Sequence, residues 1–206
     1  MKKIKSSVTK KSSPAPVKKA ALPGEIRIIG GLWKRSKLPV PTQPGLRPTP
    51  DRVRETLFNW LGSDVQGAHC LDAFAGTGAL GFEAASRGAT EVRLVEQDSA
   101  LVAQLQRMQT QLKASMVEVV RGDGLAALKA AAPASLDLVF LDPPFEATWF
   151  ESALAAATKA LKPEGSIYLE APIAWSEDAL AGLNLSLHRY MKAGAVHAHV
   201  LRRIID

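Results

Sequence analysis

Cysteine is nearly absent: Cys70 is the only one in 206 residues. Without a second thiol there is no disulfide framework and no thiolate zinc cluster, so nothing points to an oxidising compartment and a cytoplasmic protein is expected. Long apolar runs are missing as well. No stretch approaches about 18 consecutive apolar residues, and the N-terminal lysines have no apolar segment behind them, so neither a membrane span nor a signal peptide is expected. Histidine is sparse; His197 and His199 alternate along one strand-like stretch with no further Cys/His cluster, and no metal site is expected. Acids are scarce in one region only. Residues 1–54 carry 14 Lys or Arg against Glu25 and Asp51, a net charge of +12, while the remaining residues carry −6. A basic arm on an acidic body suggests a polyanionic partner, because Lys and Arg that neutralise phosphates release counterions. A solubilising tail is the alternative.

What remains is ordinary. Apolar residues make up 47% and charged residues 22%, which excludes collagen-like, coiled-coil and wholly disordered chains and is consistent with one globular domain. Residues 1–24 hold seven lysines with Ser, Pro and Ala and few large apolar groups, a composition that cannot offset its own ordering entropy, so a disordered tail is expected. Residues 25–48 come next as an N-terminal hairpin extension. Two apolar runs, Ile28-Ile29 and Leu38 to Val40, flank Trp33-Lys34-Arg35-Ser36-Lys37, which predicts a basic, aromatic tip. Residues 49–206 read as the main folded domain. Thr49 as N-cap, Pro50 at the first helical position and Asp51 in the first turn start a helix that Gly62 ends.

Strand-like runs then alternate with helical ones. Strands are predicted at 70–74, 92–96, 117–121, 136–142 and 166–169, and helices at 79–87, 99–112 and 149–161. This is the rhythm of a parallel sheet with helices on both faces. Residues 184–192 and 196–204 are strand-like with only three residues between them, too few for a crossover, so an antiparallel hairpin closes the chain. No internal repeat is present. The fold class is therefore α/β, Rossmann-like, with a mostly parallel sheet.

Ligands of open α/β sheets bind outside the carboxyl ends of the strands. The first predicted strand ends in Asp72-Ala73-Phe74-Ala75-Gly76-Thr77-Gly78, which with Gly81 forms a G-x-G-x-x-G turn. The glycines allow a tight turn and close backbone approach to a ligand. Glu96, twenty residues after Gly76, ends the next strand, where a carboxylate can accept both ribose hydroxyls. Alone, this fits a dinucleotide oxidoreductase equally well. Asp72, however, would repel a pyrophosphate and attract the ammonium of an amino-acid cofactor, which suits S-adenosylmethionine. Asp123, after the third strand, is placed to accept from an adenine amino group, although a turn carboxylate capping backbone explains Asp72 or Asp123 singly.

The fourth strand ends in Asp142-Pro143-Pro144-Phe145. An exocyclic base amine is a poor nucleophile because its lone pair is delocalised into the ring. The Asp142 carboxylate and the Pro143 carbonyl can each take one of its N–H groups, localising that pair as the methyl group arrives. Proline supplies an acceptor without a donor, and Phe145 can stack on an extruded or unpaired base. A Pro-Pro strand stop with Phe145 in the core is the plain alternative.

The order of these motifs resembles class I S-adenosylmethionine-dependent methyltransferases that act on exocyclic amines. The stretches Arg27–Lys34 and Leu46–Leu61 are similar to those of the RsmD family, bacterial 16S rRNA guanine-N2 methyltransferases, and the resemblance runs from about Glu25 to the C-terminus. It implies a seven-stranded methyltransferase sheet, S-adenosyl-L-methionine as cofactor, and 16S rRNA within an assembled or assembling small subunit as substrate. Catalytic roles are expected for Asp142, Pro143, Pro144 and Phe145. Cofactor contacts are expected from Asp72, Phe74, Ala75, Gly76, Gly78, Glu96, Gln97, Asp123, Gly124 and Thr49. RNA contacts are expected from Arg27, Trp33, Lys34, Arg35, Lys37, Arg47, Arg52 and Arg54, with Trp33 as the stacking aromatic. Trp60 and Trp149 read as core or interface, Cys70 as buried, and the protein as a monomer. Two other readings stay open: a DNA adenine-N6 methyltransferase, and an RNA-binding module with a vestigial cofactor site.

Overall fold

The computed structural model describes residues 24–41, 49–144 and 148–205. The expected tail at 1–24, except Gly24, and the candidate residues Arg47 and Phe145 lie outside the described residues.

A two-stranded antiparallel hairpin, β1 (Glu25–Arg27) with β2 (Lys37–Pro39), opens the described chain. Helix α1 (Asp51–Leu61) comes next, and a single 3₁₀ turn (Gly62–Val65) leads into the main sheet. Its strands are β3 (His69–Asp72), β4 (Glu91–Glu96), β5 (Val117–Arg121), β6 (Leu136–Leu141), β7 (Leu161–Ala171), β8 (Leu185–Ala193) and β9 (Val196–Arg203). The helices between them are α2 (Ala79–Ser86), α3 (Ser99–Leu112), α4 (Gly124–Ala130), α5 (Phe150–Ala160) and α6 (Glu177–Ala181). Spatial order is β5-β4-β3-β6-β7-β9-β8. All pairings from β5 to β7 are parallel, and both pairings of β9 are antiparallel. The chain therefore winds outward from β3 through β5, then restarts on the other side of β3 with β6. That reversal between β3 and β6 is the switch point at which such sheets bind ligands.

The expected sheet and terminal hairpin are present, and two short helices, α4 and α6, join the elements read from the sequence. Local details at α1 differ. Its N-cap is Pro50, with no side-chain cap, while Thr49 is buried and gives its carbonyl to Arg54 Nε at 3.3 Å. A residue preceding proline is held extended, so Thr49 sits one position too early to cap. Gly62 ends the helix with φ 52°, and its amide donates to the Phe58 carbonyl. No helix among the described residues is long and apolar enough to cross a membrane.

Helix α2 explains the hairpin. Its eight residues, Ala-Leu-Gly-Phe-Glu-Ala-Ala-Ser, offer an almost unbroken apolar surface, and all eight are buried. A helix apolar all round needs cover on its outer side as well as on its sheet side. The segment after β1 provides it: the Leu32 amide donates to the Ser86 carbonyl at 2.7 Å and the Trp33 amide to Ser86 Oγ at 2.9 Å. Gly31, at φ 75°, lies so close to the Ser86 carbonyl that a β-carbon would stand 1.8 Å from its oxygen. Ile26, Ile28, Trp33, Leu38 and Val40 thereby share one apolar cluster with α1, α2 and the sheet face that carries Cys70, Leu138, Phe140 and Tyr168.

Candidate active site

Five strand ends converge beside the switch point. At the first, β3 ends in Asp72 and passes through Ala75, Gly76 and Gly78 into α2. Gly76 (φ 52°) and Gly78 (φ 79°) occupy left-handed backbone that other residues rarely adopt, and the Gly78 amide closes the turn on the Ala75 carbonyl at 2.6 Å. Gly81 serves packing: a β-carbon there would lie 2.1 Å from a Leu94 methyl. Its amide donates to Asp72 Oδ2 at 3.1 Å, and the whole Asp72 carboxyl is buried. Burial raises its pKa to about 7, against the pull of the Gly81 and Phe74 amides and with help from Glu96. Oδ1 has no hydrogen-bond partner among the described residues.

At the second strand end, Glu96 braces the turn. Its Oε2 accepts the Gly76 amide and its Oε1 the Asp98 amide, both at 2.9 Å. Each oxygen keeps a further lone pair, so the carboxylate can hold the loop and still receive ligand hydroxyls. Gln97 is exposed and gives its carbonyl to Arg121 Nε at 3.4 Å. At the third, Asp123 is the N-cap of α4, its Oδ1 accepting the Ala126 amide at 2.7 Å. The capping alternative thus describes Asp123 in this structure, and the sequence reading missed α4 although the Asp-Gly-x-x start was its signal. Gly124 is a close-approach glycine, where a β-carbon would stand 2.1 Å from the Ala73 carbonyl oxygen. Phe74 stacks on Trp149, with ring centroids 5.2 Å apart, which walls this side of the turn.

At the fourth, Asp142 and Pro143 come directly after β6, one strand from Asp72. Pro143 is buried, Asp142 half-buried and Pro144 exposed. At the fifth, β7 brings a carboxylate that the sequence reading missed. Leu141 pairs with Leu169, so Asp142 stands level with Glu170. Glu170 is buried and accepts a hydrogen bond from the Tyr168 hydroxyl at 2.8 Å. Burial, then Glu170, then Asp142 push the Tyr168 phenol well above its usual pKa. No local pattern marks Glu170, because its neighbour Asp142 comes from another strand.

The expected RNA-contacting residues separate into two groups. Arg27, Lys34, Arg35 and Arg52 are exposed, as is Lys37, which pairs with Glu25 at 2.7 Å. Trp33 and Arg54 are corrected. Trp33 is buried in the shared core, only 9% exposed, so its ring covers α2 and has no face for a base. Arg54 is fully buried. Its Nη2 donates to Asp51 at 2.6 Å and to the Arg27 carbonyl at 2.9 Å, and its Nη1 stands 3.6 Å from Glu83. Glu83, also fully buried, accepts the Ile29 and Gly30 amides at 2.7 and 2.9 Å and pairs with Arg87 at 2.7 Å. This cluster ties the hairpin, α1 and α2 together. A single acid inside the apolar run of α2 was its one visible signal.

The arrangement offers a glycine cradle, a hydroxyl acceptor in Glu96, an unpartnered buried acceptor in Asp72 Oδ1 and, one strand away, a carboxylate followed by proline carbonyls. These features fit a cofactor carrying an ammonium group and ribose hydroxyls.

The chain is similar to proteins already known. The family model described as conserved hypothetical protein 95 matches residues 26–202. The ribosomal RNA small subunit methyltransferase D of Escherichia coli (strain K12) is 45% identical over 184 residues, covering 87% of this chain and 91% of that protein. The protein of the same name from Haemophilus influenzae is 47% identical over 152 residues, covering 71% and 79%. Among solved structures, a putative methyltransferase, yhhF, from Escherichia coli superposes with a TM-score of 0.77 at 43% identity, covering 89% of this chain and all of that one.

Proposed function

This chain belongs to the RsmD family, and from that membership we propose that it methylates the exocyclic N2 amine of a guanine in 16S rRNA, using S-adenosyl-L-methionine. The observation that carries the reading is the placement of Asp142 and Pro143 one strand from the Gly76–Gly78 turn, on either side of the switch point. Gly76 and Gly78 would let the backbone approach the cofactor, Glu96 would accept its ribose hydroxyls, and the Asp72 carboxyl would hold its ammonium. Phe74, Ala75, Gln97, Asp123 and Gly124 complete the wall. When bound, S-adenosylmethionine supplies an electrophilic methyl group on a sulfonium centre.

The chain's own part is to make the amine a nucleophile. Asp142 and the Pro143 carbonyl accept its two N–H groups, which draws the nitrogen lone pair out of conjugation with the ring and stabilises positive charge as it develops. Asp142 then takes the departing proton. Pro144 keeps the turn rigid and leaves no competing amide donor. Phe145 is assigned the stacking role by the sequence alone. Exposed cations on the hairpin and α1 (Arg27, Lys34, Arg35, Lys37, Arg52) and Arg47 meet the phosphates of an assembled or assembling small subunit, and the enzyme works as a cytoplasmic monomer.

Label from tritiated S-adenosylmethionine should enter small-subunit rRNA and not DNA, and nucleoside digestion should yield N2-methylguanine. Asp142→Ala should lower transfer by about 10²–10³ with cofactor affinity unchanged. Recovery of N6-methyladenine would refute the guanine assignment, and label in DNA would refute rRNA as substrate.

A further inference from the structure

With Trp33 buried, the N-terminal hairpin presents RNA with no open tryptophan ring, whereas the terminal hairpin presents an exposed tyrosine. Residues 185–203 carry Arg189, Lys192, Arg202 and Arg203 and no acid, although the body that contains them is net acidic. Arg202 pairs with Asp64 and Arg203 donates to the Leu161 carbonyl, at the end of the sheet away from the site. Lys192 lies at the other end. Ala171 pairs with His197 and Lys192 with His197, so the hairpin tip stands at the carboxyl end of β7, beside the strand that carries Asp142. In register, Asp142, Glu170, Ala198 and Met191 form one row across β6, β7, β9 and β8. Three steps of about 4.8 Å put the far end of that row about 14 Å from Asp142.

Flanking Met191 on β8, Tyr190 and Lys192 share with His197 and His199 the sheet face opposite to that of Glu170 and Met191, because side chains alternate along each strand. Tyr190 is 41% exposed, yet its ring is fixed: the hydroxyl is 2.8 Å from His197 Nδ1, and the centroids of His197 and His199 are 5.9 and 5.3 Å away. The segment after β7 is drawn onto the same face by the Trp175 amide, which donates to His199 Nε2 at 3.3 Å. Ile173 in that segment is 67% exposed. A rigid exposed ring, an apolar neighbour and a lysine together match what an unpaired nucleotide needs: a π-face to stack on and a cation for its phosphate.

We propose that Tyr190 and Lys192, on the terminal hairpin, form a stacking site for an unpaired rRNA base flanking the one presented to Asp142. The inference rests on the rRNA reading above. A pre-fixed ring loses little rotamer freedom on binding, and a base bound there would hold the strand in register with the catalytic end.

The test uses the full chain with Tyr190→Ala, Tyr190→Phe and Lys192→Glu. Each is assayed by filter binding and methyl transfer on transcribed small-subunit rRNA and on assembled particles from cells lacking the activity. Tyr190→Ala should weaken RNA binding and raise KM at least about five-fold, leaving kcat and S-adenosylmethionine affinity within two-fold. Tyr190→Phe keeps the ring but loses the hydroxyl contact to His197, and should stay near wild type. Lys192→Glu should raise KM and flatten the salt dependence of binding. Unchanged RNA affinity in Tyr190→Ala, or equal damage in Tyr190→Phe, overturns the proposal. Where wild type binds both substrates, an effect confined to assembled particles overturns it too, since the patch would then contact a protein. Failure of wild type to methylate rRNA would overturn the function, while the binding arm still judges the patch.

Discussion

Glu83→Ala should be the most damaging single change outside the site. Glu83 is fully buried in α2 and receives the Ile29 and Gly30 amides at 2.7 and 2.9 Å, Arg87 at 2.7 Å and Arg54 at 3.6 Å. Truncation leaves two desolvated amides without an acceptor and the guanidinium of Arg54, fully buried, facing a cavity. Lost hydrogen bonds to a charged acceptor are worth about 1.5–3 kcal/mol each, but contacts in one network do not add. Breaking a buried ion pair from one side costs about 3–5 kcal/mol, and that range is expected for the whole change. For a domain whose total stability is about 5–15 kcal/mol, it is about a fifth or more. Urea unfolding followed by tryptophan fluorescence measures it directly. Thermal melting should fall by roughly 6–20 °C, from about 2–4 °C per kcal/mol at this size. Adding Arg54→Met to Glu83→Gln should recover part of the loss suffered by Glu83→Gln, because a buried guanidinium left with only the exposed Asp51 as counter-charge is gone. A loss below about 1 kcal/mol for Glu83→Ala, or no recovery in the double variant, would show that the cluster does not hold the hairpin to the body.

Three further outcomes are expected. Glu96→Ala should weaken S-adenosylmethionine binding by about 1.5–3 kcal/mol, one to two decades by calorimetry, and NAD binding more tightly than S-adenosylmethionine would refute the cofactor. Asp72 has a folded-state pKa of about 7 against an ordinary 3.8, so the folded chain retains this proton to higher pH than the unfolded chain. Its favourable contribution is complete below about pH 4 and is lost as pH rises to about 7. Denaturant midpoints should therefore show Asp72→Asn gaining on wild type across that window by on the order of 4 kcal/mol, and a pH-independent difference would refute the burial account. Deleting residues 1–24 should shrink the log–log salt slope of RNA binding by up to roughly 0.7 per lost phosphate contact without changing the methylated nucleoside, and an unchanged slope would make the seven lysines a solubilising appendage.

Short-range pattern alone was enough to specify the frame of this protein. Strand and helix alternation set the parallel sheet, the three-residue link after Lys192 set the antiparallel end, and the Gly76–Gly78 turn and Asp142-Pro143-Pro144 marked which strand ends face a ligand. Each signal lies within a dozen residues, where period and turn chemistry operate. Tertiary structure decided whatever depends on neighbours remote in sequence. Arg54 and Trp33 look like RNA contacts in a basic segment, but α2, apolar on every side, needs an outer cover, and the hairpin that supplies it takes Trp33 into the core. Glu83 then neutralises Arg54 from 29 positions away. Asp123 Oδ1 caps α4, a helix that the local pattern did not reveal. Glu170 meets Asp142 only through the β6–β7 register. The fate of a buried charge or ring is set by which surfaces must be covered, and no local window carries that information.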